Sequence, residues 1–180
     1  KDLSKDTQNY FMKLPGYDTL RMLLSRKPIL VEGPSDELIV QKAYLQHKGK
    51  LPIEDGVDII TVRGLSFKRF LEIAKILEKE VKVVTDNDGS VEALERKYED
   101  YMDTEFIKIF FDRDEEYPTL EPQFLKFNNL DNLNTVLDRS ESTKEDLLDY
   151  MKKNKTECAL KIFESELDIN MPEYIKNAIK

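Results

Sequence analysis

Ile29-Leu30-Val31-Glu32-Gly33-Pro34-Ser35-Asp36 is a short apolar run that ends in a carboxylate and continues into a segment with helical character. The pattern predicts a strand followed at once by a helix that carries a second carboxylate, Asp36. We expect Ser35 to be the N-cap of this helix, because a serine hydroxyl can accept a hydrogen bond from a free backbone N–H at a helix start. Glu32 and Asp36 are thereby predicted to lie at the tip of a strand.

A second segment, Val81-Lys82-Val83-Val84-Thr85-Asp86-Asn87-Asp88-Gly89-Ser90, repeats this arrangement fifty residues later. Side chains alternate along a strand, so Asp86 and Asp88 are expected to point to the same side. Like charges held together raise each other's pKa unless divalent cations neutralise them. The two segments together predict a Mg²⁺ or Mn²⁺ site.

Strands and helices are predicted to alternate through the first two thirds of the chain. The predicted strands cover about residues 29–32, 57–62, 81–85 and 106–111, and the predicted helices between them cover about 35–47, 64–80 and 90–102. Such alternation indicates an α/β fold, a parallel sheet flanked by helices. Ligands of these sheets bind at the carboxyl ends of the strands, where both acidic segments lie. Beyond Asp112 only helices are predicted, at about 130–138, 143–152, 155–166 and 172–179.

Composition excludes several classes of function. His47 is the only histidine and Cys158 the only cysteine, so a zinc site of the usual type, a Ser-His-Asp triad and an internal disulfide all lack parts. Gly49-Lys50 is followed by Leu51, which rules out a Walker A loop at the one Gly-Lys pair. An EF-hand containing the second acidic segment would place Val84 at the first ligand position, and valine has no side-chain oxygen to bind Ca²⁺. An EF-hand is therefore excluded.

Hydropathy and net charge limit the cellular location and the binding partners that can be expected. No apolar run approaches the roughly 18 residues that a membrane span requires, so we expect a cytoplasmic protein without a membrane partner. The 180 residues carry a net charge of −8, which predicts weak binding to DNA, since duplex affinity comes mainly from Lys and Arg.

The two acidic segments, Val31–Asp36 and Thr85–Gly89, together resemble the TOPRIM domain of topoisomerases, primases and certain nucleases. Thr119-Leu120-Glu121-Pro122 and Asn154-Lys155-Thr156-Glu157-Cys158-Ala159-Leu160 extend the resemblance. With them the chain is similar to the OLD (overcoming lysogenization defect) nucleases, of the Gabija-like or class 2 type, over about residues 14–166. The resemblance implies a TOPRIM-like parallel sheet with a carboxyl-terminal helical extension.

The resemblance also implies an activity and its residues. A divalent-metal-dependent DNA endonuclease or nickase would hold two Mg²⁺ or Mn²⁺ ions, with Ca²⁺ as a structural substitute. Glu32 and Asp36 are assigned to one ion, Asp86 and Asp88 to the other, and Glu121 is an additional ligand. Glu32, Asp86 and Lys155 are the expected catalytic residues, Lys155 by stabilising charge on the phosphate.

Partners and domain boundaries follow from the same resemblance. The expected partners are DNA and an amino-terminal ABC-type ATPase domain of the same protein, which this chain lacks. The resemblance is also compatible with a homo-oligomer. Some relatives act in antiphage defence. We expect a lead-in helix or linker over 1–27, a TOPRIM catalytic core over 28–128, and a helical extension over 129–180 that carries Lys155.

Two alternatives remain open at the level of sequence. A haloacid-dehalogenase-like phosphatase also uses an Asp-x-Asp segment after a strand, with Asp86 as nucleophile and Asp88 as acid/base, but it leaves Glu32 without a role. A non-catalytic TOPRIM module for regulation or dimerisation would retain the fold alone.

Overall fold

A four-stranded parallel sheet forms the centre of the computed structural model, which describes residues 2–13, 17–62 and 67–180. The strand order is β2-β1-β3-β4, and all three neighbouring pairs run parallel. The strands are β1 (Lys27–Val31), β2 (Val57–Thr61), β3 (Val81–Val84) and β4 (Ile107–Phe110). The predicted α/β class is confirmed.

Helices precede, connect and follow the strands. Two of them precede the sheet and three connect its strands: α1 (Lys5–Lys13), α2 (Tyr17–Leu24), α3 (Pro34–Lys48), α4 (Phe67–Leu77) and α5 (Val91–Met102), with a short 3₁₀ helix at Pro52–Asp55. The helices after the sheet are α6 (Leu120–Phe127), α7 (Leu130–Leu137), α8 (Lys144–Lys153), α9 (Lys155–Glu164) and α10 (Glu173–Ala178). The predicted start of α4 near residue 64 lies outside the described residues.

Helix α6 was absent from the sequence prediction, although one of the family motifs opens it. Thr119 is its N-cap, and Pro122 falls in the first turn, where a missing N–H costs nothing because those N–H groups have no intrahelical partner. The helix has only eight residues, too few to show a clear helical pattern of apolar residues, and a proline near its start is more typical of a loop.

The N-cap prediction for α3 is wrong. Gly33 holds that position and Pro34 is the first helical residue, a place that suits the fixed φ of proline. The Asp36 carboxylate accepts a hydrogen bond from the Gly33 N–H at 3.0 Å, so an acidic side chain inside the first turn does the capping. The Ser35 hydroxyl instead lies 3.4 Å from that of Thr156, at the start of α9.

Helices cover both faces of the sheet, because the strands present apolar side chains on both faces and these must be buried. Leu30, Ile60 and Val83 pack with residues of α2, α4 and α5. Ile29 and Val31 face the opposite side, where they join a larger core with residues of α3 and α6 to α10. The carboxyl-terminal helices are therefore packed into the same core as one face of the sheet, while the predicted division into segments at 27 and 128 stays a prediction.

No helix within the described parts of the chain is long and apolar enough to cross a membrane.

Helix α9 offers a test of this shared core. Ile162 is 1% exposed, whereas Leu160 in the same helix is 43% exposed. We expect Ile162→Ala to lower the free energy of unfolding by about 2 to 4 kcal/mol, because it leaves a cavity in a close-packed core. Leu160→Ala should change it by less than about 1 kcal/mol. Urea unfolding followed by circular dichroism measures both, and a sheet that kept its wild-type midpoint in Ile162→Ala would contradict the shared core.

Candidate functional site

The candidate site lies where the adjacent strands β1 and β3 end. Leu30 is the register partner of Val83, so the residues that follow the two strands, Glu32 and Thr85, emerge side by side. The Thr85 hydroxyl donates a hydrogen bond to the Glu32 carboxylate. The parallel sheet thus joins two segments separated by fifty residues of sequence.

Asp36 brings a second carboxylate to this edge from the first turn of α3. Burial, together with the negative charge of Glu32, raises the pKa of Asp36 to about 6. The hydrogen bond from the Gly33 N–H opposes the rise, and the charge of Glu121 adds to it. A helix start favours an anion here, yet burial and the neighbouring carboxylates outweigh that preference.

Asp86 lies at the centre of the acidic group. Burial raises its pKa to about 8, and the charges of Asp36, Glu32, Glu121 and Asp88 contribute in that order. The other four predicted metal ligands therefore all lie within electrostatic range of Asp86. Like charges in one region cannot all be ionised without cost, so this edge of the sheet has a negative potential.

The loop after β3 differs from its prediction. The strand ends at Val84, so both aspartates lie beyond it and strand alternation does not set their directions. Asp88 is exposed, with a φ of 51°, and Gly89 follows with a φ of 82°. Asn87 between the aspartates is 3% exposed and donates hydrogen bonds to the carbonyls of Asp112 and Asp114, which fixes the loop.

Glu121 and Lys155 meet at the same edge although they are predicted in different parts of the chain. The Lys155 ammonium lies 3.0 Å and 3.2 Å from the two carboxylate oxygens of Glu121, and the Thr119 hydroxyl donates to the same carboxylate at 2.9 Å. Glu121 is 5% exposed, while the Lys155 side chain is half exposed. Burial alone would lower the pKa of Lys155, but the hydrogen bond to Glu121 and the charges of Asp86 and Asp36 raise it.

Three residues near the site were not predicted from sequence. Thr85 and Asn87 belong to the second acidic segment, where a hydroxyl and an amide next to paired acids are a recognisable signal of positioning groups. Tyr174 comes from α10 and gives no such signal. It is 7% exposed, burial raises the pKa of its hydroxyl, and the charges of Asp86 and Asp36 raise that pKa further.

The acidic side chains are a chemically suitable but unassembled ligand set. Carboxylate oxygens are the ligands that Mg²⁺ and Mn²⁺ prefer. In the described ranges, however, no three acidic, histidine or cysteine side chains are arranged to hold a metal ion. Protein donors occupy several of the carboxylates instead: Thr85 at Glu32, the Gly33 amide at Asp36, and Lys155 at Glu121.

A protein-family model matches the part of the chain that carries both acidic segments. Residues 23–88 match the family described as "Overcoming lysogenization defect protein-like, TOPRIM domain", a stretch that contains both acidic segments. No curated protein matches the sequence.

Solved structures extend the likeness to the helices after the sheet. The C-terminal region of the Xanthomonas campestris pv. campestris OLD protein is similar with a TM-score of 0.64 and 20% identity, over 88% of this chain and 92% of that one. The C-terminal region of the Burkholderia pseudomallei OLD protein is similar with a TM-score of 0.67 and 17% identity, over 87% and 96%. At such identities the likeness concerns the fold.

Burial of Asp86 and the repulsion around it predict a stability that falls as pH rises when no metal is added. Its carboxyl has a higher pKa in the folded chain than in the unfolded one, so the folded state binds more protons and loses stability as pH rises from about 4 to about 8. Asp86→Asn should therefore stabilise the metal-free protein at pH 8 by about 1 to 2 kcal/mol, or about 3 to 6 °C in Tm. Thermal unfolding in EDTA at pH 5 and pH 8 measures this.

Asp149→Asn supplies the matched control, because Asp149 is an exposed acid on α8. It makes the same change of charge and should leave Tm and its pH dependence nearly unchanged. An Asp86→Asn protein with wild-type stability at pH 8 would show that the site carries little repulsion.

Proposed function

We propose that this chain, whose residues 23–88 form an OLD-like TOPRIM domain, is the catalytic portion of a divalent-metal-dependent DNA endonuclease. The observation that carries the proposal is that four carboxylates lie within electrostatic range of Asp86 and that one of them, Glu121, pairs with Lys155. These groups come from four separate segments of sequence, and the fold brings them to one edge of the sheet.

The negative potential of this edge accounts for the proposed cofactor. We infer that Glu32, Asp36, Asp86, Asp88 and Glu121 hold Mg²⁺ or Mn²⁺, two ions per site, with Ca²⁺ as a non-productive substitute. When bound, the ions would supply an activated water and neutralise charge on the scissile phosphate. Glu32 and Glu121 accept hydrogen bonds from Thr85 and Lys155, and each carboxylate retains lone pairs with which it could ligate an ion.

Lys155 is proposed to stabilise negative charge on the phosphate. Its ammonium is half exposed at the edge of the acidic group and is held there by Glu121. The charges of Asp86 and Asp36 favour its protonated form. A fixed cation beside carboxylates that attract metal ions can contact a phosphate oxygen without moving far, which is the arrangement that lowers a barrier by charge stabilisation.

The proposed partners are DNA and an ATPase domain. The net charge of −8 disfavours DNA binding by the chain alone, and bound divalent ions would offset part of it. We infer that an amino-terminal ABC-type ATPase domain of the same protein supplies further DNA contacts and regulation. A role in antiphage defence in the cytoplasm fits this assignment.

Cleavage of supercoiled plasmid tests the activity. We expect the chain to convert it to nicked or linear DNA with Mg²⁺ or Mn²⁺ and to be inactive in EDTA. Glu32→Ala should reduce cleavage by roughly 100-fold or more, because it removes a carboxylate from the centre of the proposed ligand set. Glu164→Gln, which changes an exposed acid at the end of α9, should cleave like wild type.

The same preparations separate the nuclease from its alternatives. A haloacid-dehalogenase-like phosphatase would hydrolyse p-nitrophenyl phosphate rapidly and would not need Glu32, whereas the nuclease should not turn over this substrate. A non-catalytic module would leave both substrates intact. Phosphatase activity that survives Glu32→Ala, or intact plasmid at every metal concentration, would overturn the proposal.

Lys155→Ala tests the role of the ammonium. We expect the variant to keep its helical circular dichroism and its Mg²⁺ binding, measured calorimetrically, while cleavage falls by roughly 100-fold. Lys153→Ala removes an exposed lysine two residues earlier and should leave cleavage unchanged. Wild-type cleavage by Lys155→Ala would contradict a catalytic role and leave Lys155 only its ion pair with Glu121.

A further inference from the structure

A second polar site lies at the opposite edge of the sheet, where the strands begin. A cavity of about 550 Å³ opens there between β1, β3 and β4, the end of α3 and the end of α10. Its volume falls within the range of small-molecule sites. It shares no residue with the acidic site, so the proposed nuclease does not account for it.

Lysines dominate the polar lining of this cavity. The strands contribute Lys27, Lys82 and Lys108, and the end of α3 contributes Lys48. Lys50 also lines it but is paired with Asp55 at 2.6 Å. In a chain with a net charge of −8, such a concentration of positive charge is unexpected.

The pair Lys82 and Lys108 is energetically unfavourable in the absence of an anion. The two residues are direct register partners on β3 and β4, and like charges opposite each other destabilise a sheet. Burial lowers the pKa of Lys82, and the positive charges of Lys108 and Lys27 lower it further. One proton of Lys82 is used in a hydrogen bond of 2.6 Å to the carbonyl of Ala178.

No salt bridge offsets that cost, although the charge of Glu80 partly opposes the lowering of the Lys82 pKa. Across residues 2–13, 17–62 and 67–180, neither Lys27 nor Lys82 nor Lys108 forms a salt bridge. Glu80 and Glu105 line the same cavity without pairing with them. Six lysines and three acids line the cavity, so its lining has an excess of positive charge.

The rest of the wall is apolar. Pro28, Ile29, Val57 and Phe106 line the cavity beside the lysines. A lysine ammonium binds phosphate as a point charge, whereas an apolar wall favours a carbon-rich or aromatic group. A duplex backbone would instead need an open, extended row of cations.

We propose that this basic cavity, formed by Lys27, Lys82, Lys108 and the apolar residues between them, binds a phosphorylated small molecule with an aromatic group, of the nucleotide class. The phosphate lies among the lysines of β1, β3 and β4, and the base contacts the apolar wall. The site is separate from the acidic edge, and its occupancy does not depend on the proposed nuclease activity.

Titration of the chain with AMP in EDTA, followed by two-dimensional amide NMR, tests the site. We expect shifts concentrated on Ile29, Lys82, Lys108 and Ala178, and none on Asp36 or Asp86. Lys27→Gln/Lys108→Gln changes two exposed lysines of the cavity and should weaken AMP binding about tenfold, because each removed charge contributes to phosphate binding. Lys152→Gln/Lys153→Gln makes the same change of charge on α8 and should bind AMP like wild type.

Further probes define the class of ligand. Adenosine and inorganic phosphate should each bind more weakly than AMP, since each offers one half of the recognised chemistry. Phosphate that binds as tightly as AMP would overturn the nucleotide class, and a single-stranded oligonucleotide that displaces AMP at lower concentration would make nucleic acid the ligand. Absence of localised shifts at millimolar AMP, or equal binding by both double variants, would overturn the site itself.

Discussion

Repulsion among carboxylates at the carboxyl ends of β1 and β3 is the constraint around which this structure is organised. Asp36 and Asp86 are partly buried next to Glu32 and Glu121, and their pKa values rise accordingly. A fold that served stability alone would not hold acids in this way, because each ionised group penalises the next. The surrounding elements limit that penalty with one lysine, two threonines and one backbone amide, and a divalent cation would remove more of it.

The carboxyl-terminal helices are needed for that arrangement and are more than a cover for the sheet. Glu121 at the start of α6 and Lys155 at the start of α9 form the one ion pair of the described chain that includes a member of the acidic group. Their positions depend on the core that these helices share with α3 and one face of the sheet. Loss of packing in α9 would therefore move a cation as well as lower stability.

Sequence was sufficient for the parts governed by local pattern. The α/β class and the resemblance to OLD-type TOPRIM domains are confirmed, since apolar runs, helix lengths and the two acidic segments are all local signals. Local pattern does not predict α6, because a proline interrupts its short period. Ser35 is a favourable N-cap by residue type, but Pro34 begins the helix and leaves Gly33 in the N-cap position. The predicted direction of Asp88 depends on strand alternation, but β3 ends at Val84, so Asp88 lies in the loop beyond the strand.

What sequence could not provide is information that resides in strand register. Lys82 and Lys108 each interrupt an apolar strand, and separately each reads as an ordinary alternation of apolar and polar residues. Only the pairing of β3 with β4 makes them neighbours, and only the placement of α10 turns their side of the sheet into the wall of a cavity. The same parallel register that gathers acids at one end of the strands gathers lysines at the other. One sheet thereby carries an acidic edge at the carboxyl ends of its strands and a lysine-rich edge at their beginnings.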